Sequence, residues 1–127
     1  VVRDGEDRFA ATLSTGGTAV TLYGRVGDVP IYGAGLFAGP AGAVACTGTG
    51  EEIIRQSLAR TVYESMAGGE RVRAAVHRAV VAFPEDASVG VIAIDRKGWA
   101  VAANRPMAYG VAPDRGGKEP RERSEEP

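Results

Sequence analysis

The residue types best suited to chemistry in this chain sit in three short Gly-rich stretches. In Gly24-Arg25-Val26-Gly27-Asp28-Val29-Pro30 an arginine and an aspartate stand three positions apart. A guanidinium holds a carboxylate through two hydrogen bonds, and an ionised carboxylate accepts from an ammonium group. Arg25 and Asp28 can therefore grip the two ends of a free amino acid, or they can pair with each other as a loop salt bridge. In Thr47-Gly48-Thr49-Gly50-Glu51, between an expected strand and an expected helix, backbone N–H groups favour an anion or a developing oxyanion. The same residues also read as a simple helix cap. A phosphate cradle fits less well. The dinucleotide fingerprint needs a glycine where Ile53 stands, and a P-loop needs a lysine where Glu51 stands. Ser14-Thr15-Gly16-Gly17 reads as a strand-end turn whose hydroxyls cap backbone groups.

The other reactive types point to structure. Cys46 is the single cysteine, inside a run of small apolar residues, and reads as a core residue rather than a nucleophile. One cysteine excludes an intrachain disulfide and a cysteine-rich zinc site. The single histidine, His77, beside Arg78 on the charged side of a helix, argues against a Ser-His-Asp triad and a His-rich metal site. No cofactor is expected. Trp99 opens a strand and reads as packing.

Those stretches have to be held by elements that the hydrophobic pattern outlines. The chain has 127 residues, the size of one domain. Its formal net charge of -1 argues against nucleic-acid binding through a basic stripe. No apolar run is long enough to span a membrane, and no signal-peptide pattern stands at the start, so a cytoplasmic location is expected. Val1–Arg3 and Phe9–Leu13 flank a polar turn and read as a hairpin. The span 14–40 reads mostly as loop, and Gly42–Thr47 as a buried strand. Ile54, Leu58, Val62 and Met66 recur every four residues and predict one helix over Glu51–Met66. Thr49 and Glu52 fit a capping box at its start. A second helix is expected over Glu70–Phe83, stopped by Pro84. Ser88–Ile94 and Trp99–Ala103 read as a hairpin, with a further short extended segment around Met107–Val111. From Asp114 to Pro127 there is no aliphatic or aromatic residue, which predicts a disordered charged tail (114–127) after an ordered part (1–113). The fold class is α+β: a mostly antiparallel sheet with a helix pair on one face.

Taken together and in this order, these motifs resemble the β-subunit of the plant-type (type 2) L-asparaginase and isoaspartyl peptidase family. They are Ser14-Thr15-Gly16-Gly17, Gly24-Arg25-Val26-Gly27-Asp28 with Gly33-Ala34-Gly35, and Gly42-Ala43-Val44 leading to Thr47-Gly48-Thr49-Gly50-Glu51. Asn104-Arg105-Pro106-Met107 resembles the family's last strand less specifically. The resemblance runs from Val1 to about Val111. It implies an N-terminal-nucleophile hydrolase with an αββα sandwich, of which this chain supplies the β-subunit half. A precursor cleaves itself before a threonine, whose hydroxyl then attacks an amide while its own α-amino group acts as base.

By motif position the resemblance makes Thr15 the second threonine, which tunes the nucleophile. It gives Arg25 the substrate α-carboxylate and Asp28 the α-ammonium group. Thr47 and Gly48 become the oxyanion-hole pair, and Gly27 and Gly50 belong to the substrate loops. The implied substrates are L-asparagine and β-aspartyl dipeptides. The implied partner is an α-subunit from the same precursor, with two αβ units forming a dimer. The family's Thr-Val-Gly start is absent from the sequence, which places the nucleophile just upstream of Val1. Without it the chain is expected to be inactive alone. A second reading is therefore a non-catalytic fragment or degenerate homologue that binds aspartate-like ligands or a partner chain.

Overall fold

The computed structural model describes residues 1–112. Val2–Arg3 (β1) and Phe9–Ala10 (β2) form a two-stranded antiparallel ribbon. Its turn is closed by Asp4, whose Oδ1 accepts from the N–H groups of Glu6 and Arg8, both at 2.9 Å. The main sheet is antiparallel and runs β3 (Leu36–Gly39), β4 (Gly42–Gly48), β5 (Val89–Ile94), β6 (Trp99–Ala103). Three helices, α1 (Gly50–Gln56), α2 (Leu58–Ala67) and α3 (Val72–Val81), lie between β4 and β5 in sequence.

Alternation along the strands decides which side chains meet the helices. Val44, Cys46, Val89, Val91, Ala93 and Ala100 pack against Leu58, Val62 and Met66 of α2 and Val72, Val76 and Val80 of α3. Fully burying one such aliphatic side chain stabilises the fold by roughly 1.5–3 kcal/mol. Ala43 and Ala45 point to the opposite face and are also buried, where β1 and β2 meet β3 and β4. A strand covered on both faces beside close neighbours explains the run of small residues in β4. At Gly42 a Cβ would fall 2.3 Å from the Ile94 carbonyl oxygen.

Several expectations are corrected or narrowed. The helix expected over Glu51–Met66 is two helices, broken at Ser57, which adopts a left-handed backbone (φ 45, ψ 51). The break lets the start of α2 turn towards the Gly-rich loop. Ala59 N–H donates to Ala34 O at 3.1 Å and Arg60 N–H to Gly33 O at 2.9 Å. These bonds satisfy helix-start donors that would otherwise lack partners. The capping box at Thr49 does not form, because its hydroxyl oxygen accepts from Ser88 N–H at 3.0 Å instead. The loop expected over 14–40 contains β3, since Phe37 packs on the core and Leu36–Gly39 pairs with Gly42–Ala45 across a tight turn. The segment around Met107–Val111 forms no strand. The helix expected over Glu70–Phe83 is present but shorter, Val72–Val81. His77 is exposed on it, and Cys46 is buried. The charged tail from Asp114 lies outside the described residues.

Candidate active site

The C-terminal end of β4, the loop after β2 and the turn at Asp28 converge on one cavity of about 540 Å³. Thr15, Arg25, Gly27, Asp28, Thr47 and Gly48 all line it. Six residues singled out from the sequence are thus brought together across 33 positions of chain. Gly50 completes the set from behind. A Cβ there would lie 2.9 Å from Asp28 Oδ1 and 3.0 Å from Arg25 Nη2.

Each position has a local cause. Thr15 sits in the hydroxyl turn that its sequence predicts, its Oγ1 accepting from Gly17 N–H at 3.2 Å. Asp28 opens a turn in which its carbonyl accepts from Ile31 N–H at 3.0 Å. Gly35 presses against that carbonyl so closely that a Cβ would fall 2.6 Å from the oxygen. Gly35 O in turn accepts from Cys46 N–H at 2.7 Å, which fastens the Asp28 turn to β4. Because backbone direction repeats every two residues in a strand, the Gly48 N–H lies on the same edge as that of Cys46, beyond the end of β3. The neighbouring backbone groups of Val89 are occupied by Asn104 on the other side. Thr47 points to the face opposite Cys46. Thr49 anchors the loop, its N–H donating to Ser88 O at 2.8 Å.

The electrostatics single out two side chains. Asp28 is 6% exposed, and among the described residues its Oδ2 has no hydrogen-bond partner. Burial pushes its carboxyl above the ordinary carboxylate range, against the opposing pull of a backbone hydrogen bond and the Arg25 charge. The loop salt bridge between Arg25 and Asp28, left open by the sequence, is not formed. Arg25 donates from Nε to Glu51 Oε1 at 3.0 Å instead. That bond raises the Arg25 pKa and lowers that of Glu51. The guanidinium lies against Gly27 and Gly50, where a Cβ at Gly27 would fall 2.9 Å from Nη1. Behind the site, the Cys46 thiol is driven well above its usual pKa by desolvation, with the Asp28 charge adding to it, which favours the protonated thiol of a core residue. Among the described residues no group of three or more His, Cys, Asp or Glu side chains is placed to hold a metal ion. No helix among them is long and apolar enough to cross a membrane.

Among the described residues the arrangement offers a cation whose Nη groups make no hydrogen bond, a buried carboxyl with one unpaired oxygen, and hydroxyl and backbone donors at a strand end. These are complementary to a zwitterion and to developing negative charge. Sequence reasoning missed the Glu51 contact. Its signal, an acid directly after Gly50, reads equally as a favourable first-turn helix residue.

Comparison with known proteins places the chain in a family. The sequence profile of the asparaginase family matches residues 1–116. An isoaspartyl peptidase of Escherichia coli is 44% identical over 102 residues, covering 77% of this chain and 32% of that protein. A plant-type L-asparaginase of Pyrococcus horikoshii is 40% identical over 102 residues, covering 77% of this chain and 33% of its own. An isoaspartyl peptidase of Salmonella typhimurium is 44% identical over the same length. The chain spans about a third of the length of the curated relatives it matches. With a family match across all the described residues, and relatives 40–44% identical over 102 residues, the chain belongs to the asparaginase family.

Proposed function

We propose that this chain is the β-subunit portion of an N-terminal-nucleophile hydrolase. Its reaction is cleavage of the side-chain amide of L-asparagine, of the β-aspartyl bond in isoaspartyl dipeptides, or of both. The observation that supports this most is the buried Asp28 carboxyl with its Oδ2 unpaired among the described residues, beside Arg25, in one cavity with Thr15, Thr47 and Gly48. Stable burial of such a group calls for a cationic ligand. Asp28 takes the substrate α-ammonium group and Arg25 its α-carboxylate. Gly27 and Gly50 keep room for the guanidinium.

The nucleophile in this reading is a threonine N-terminal to Val1, freed by self-cleavage of a precursor, with Thr15 hydrogen-bonded to it. Its hydroxyl oxygen bonds to the amide carbon as its proton passes to its own α-amino group. The Thr47 hydroxyl and Gly48 N–H donate to the oxygen that becomes negative. The C–N bond then breaks, and ammonia or an amine leaves with the transferred proton. Water adds to the resulting ester and gives its proton to the same amine. Collapse releases aspartate and restores the threonine. An α-subunit from the same precursor completes the sandwich, two αβ units pair, and the enzyme works in the cytoplasm without a cofactor.

The test is to express the full-length precursor and assay ammonia release from asparagine and amine release from a β-aspartyl dipeptide. Turnover of at least one, with a new chain beginning at threonine, is expected. A correctly folded, processed protein that turns over neither substrate overturns the proposal.

A further inference from the structure

Glu51 has no role in the reaction above, yet it makes the strongest contact to Arg25. An arginine has two bidentate edges, one formed by Nε with an Nη and one by the two Nη groups. Glu51 Oε1 occupies Nε at 3.0 Å. Among the described residues no other hydrogen bond engages the guanidinium. Gly27 and Gly50 press on the two Nη nitrogens without side chains of their own. Arg25 lines both the ligand cavity and a neighbouring one, whereas Glu51 lines only the neighbouring one, with Val20, Leu22 and Tyr23. The carboxylate of Glu51 thus meets the guanidinium at Nε from outside the lining of the ligand cavity.

From this we propose that Glu51 is a positioning residue and specificity element. It blocks the side-on edge of Arg25, so that a ligand carboxylate is received end-on through Nη1 and Nη2. The inference rests on the assignment of Arg25 to a substrate carboxylate. It explains why an acid is tolerated next to an anion-binding arginine: bound to Nε, its charge orients the cation and leaves the two Nη groups to the ligand. Its carboxyl is held below the ordinary range by the Arg25 hydrogen bond, so the clamp persists into mild acid. Glu51 is more than half exposed, which keeps its contribution modest.

The experiment uses the processed full-length enzyme with Glu51→Ala, Glu51→Gln, Arg25→Ala and the Glu51→Ala/Arg25→Ala pair. It reads KM, kcat and the aspartate dissociation constant by calorimetry. Glu51→Ala is expected to raise KM and the aspartate dissociation constant about fivefold. Turnover at saturation should hardly change, and Glu51→Gln should recover part of the loss. In the Arg25→Ala background, Glu51→Ala should weaken aspartate no further, because its only route to the ligand is gone. An unchanged KM in Glu51→Ala, or an equal loss in both backgrounds, overturns the inference while leaving the Arg25 assignment intact. If Arg25→Ala itself binds aspartate normally, both fall together.

Discussion

Burying the Asp28 carboxyl with one oxygen unpaired disfavours its ionised form, so the group proposed to grip a cationic ligand also destabilises the empty protein. The sign follows from linkage. A carboxyl whose folded pKa lies above its unfolded value binds more protons when folded, and stability falls as pH rises from the unfolded pKa through the folded one. Asp28→Asn should therefore stabilise the ligand-free protein at neutral pH by about 1 kcal/mol. The gain should vanish below the ordinary carboxylate pKa. Urea denaturation at two pH values checks this, and the same variant should lose aspartate binding. A destabilised Asp28→Asn at neutral pH would contradict the account. Arg25→Ala should raise KM by about 10-fold or more, because a charge-assisted contact is lost. Thr47→Ala should cut kcat by roughly 100-fold if its hydroxyl serves the oxyanion. Steady-state kinetics decide both. These three residues were legible in the sequence because charge and hydroxyl chemistry at a strand end or in a Gly-rich loop narrows their use. Glu51 was not, because an acid in the first turn of a helix already has an ordinary explanation.

Among the elements, the break at Ser57 couples the helices to the site. It redirects α2 so that its first N–H groups bind the carbonyls of Gly33 and Ala34, and that loop holds the Asp28 turn through Gly35. Periodicity could not reveal this. The apolar stripe from Ile54 to Met66 keeps its four-residue spacing across the break, and the left-handed residue is a serine instead of the expected glycine or asparagine. Ser57→Gly should relieve a backbone cost and stabilise the protein by up to about 1 kcal/mol. A shift in the urea midpoint measures it. The opposite holds at the end of β4. Gly48 has φ +135, and a Cβ there would fall 2.1 Å from the Ser88 carbonyl oxygen. Gly48→Ala should destabilise by roughly 2–4 kcal/mol. The strands were readable where alternation or small-residue runs were strong, as in Gly42–Gly48 and Trp99–Ala103. β3 escaped notice because its four residues, Leu-Phe-Ala-Gly, lie inside Gly-rich surroundings and become a strand only through pairing with β4.

At the scale of the whole molecule, the apolar surface is unevenly covered. The helical face of the sheet is packed, while Val20, Leu22 and Tyr23 beside the site and Trp99 at the start of β6 are exposed. Patches of this kind seldom stay bare in a monomer. The 127-residue chain alone should bind a hydrophobic dye and tend to aggregate, and co-expression with the rest of the precursor should suppress both. A monodisperse, dye-silent chain on its own would argue against an α-subunit covering these residues. Another consequence comes from the thiol beneath the cavity. Cys46 is the single cysteine, is 1% exposed, and donates its backbone N–H to the loop that carries Asp28. A maleimide can reach it only when the helices or that loop part from the sheet. Its labelling rate is therefore a built-in clock for opening of the core beside the binding site, and a ligand that bridges Arg25 and Asp28 should slow the share that comes from the loop.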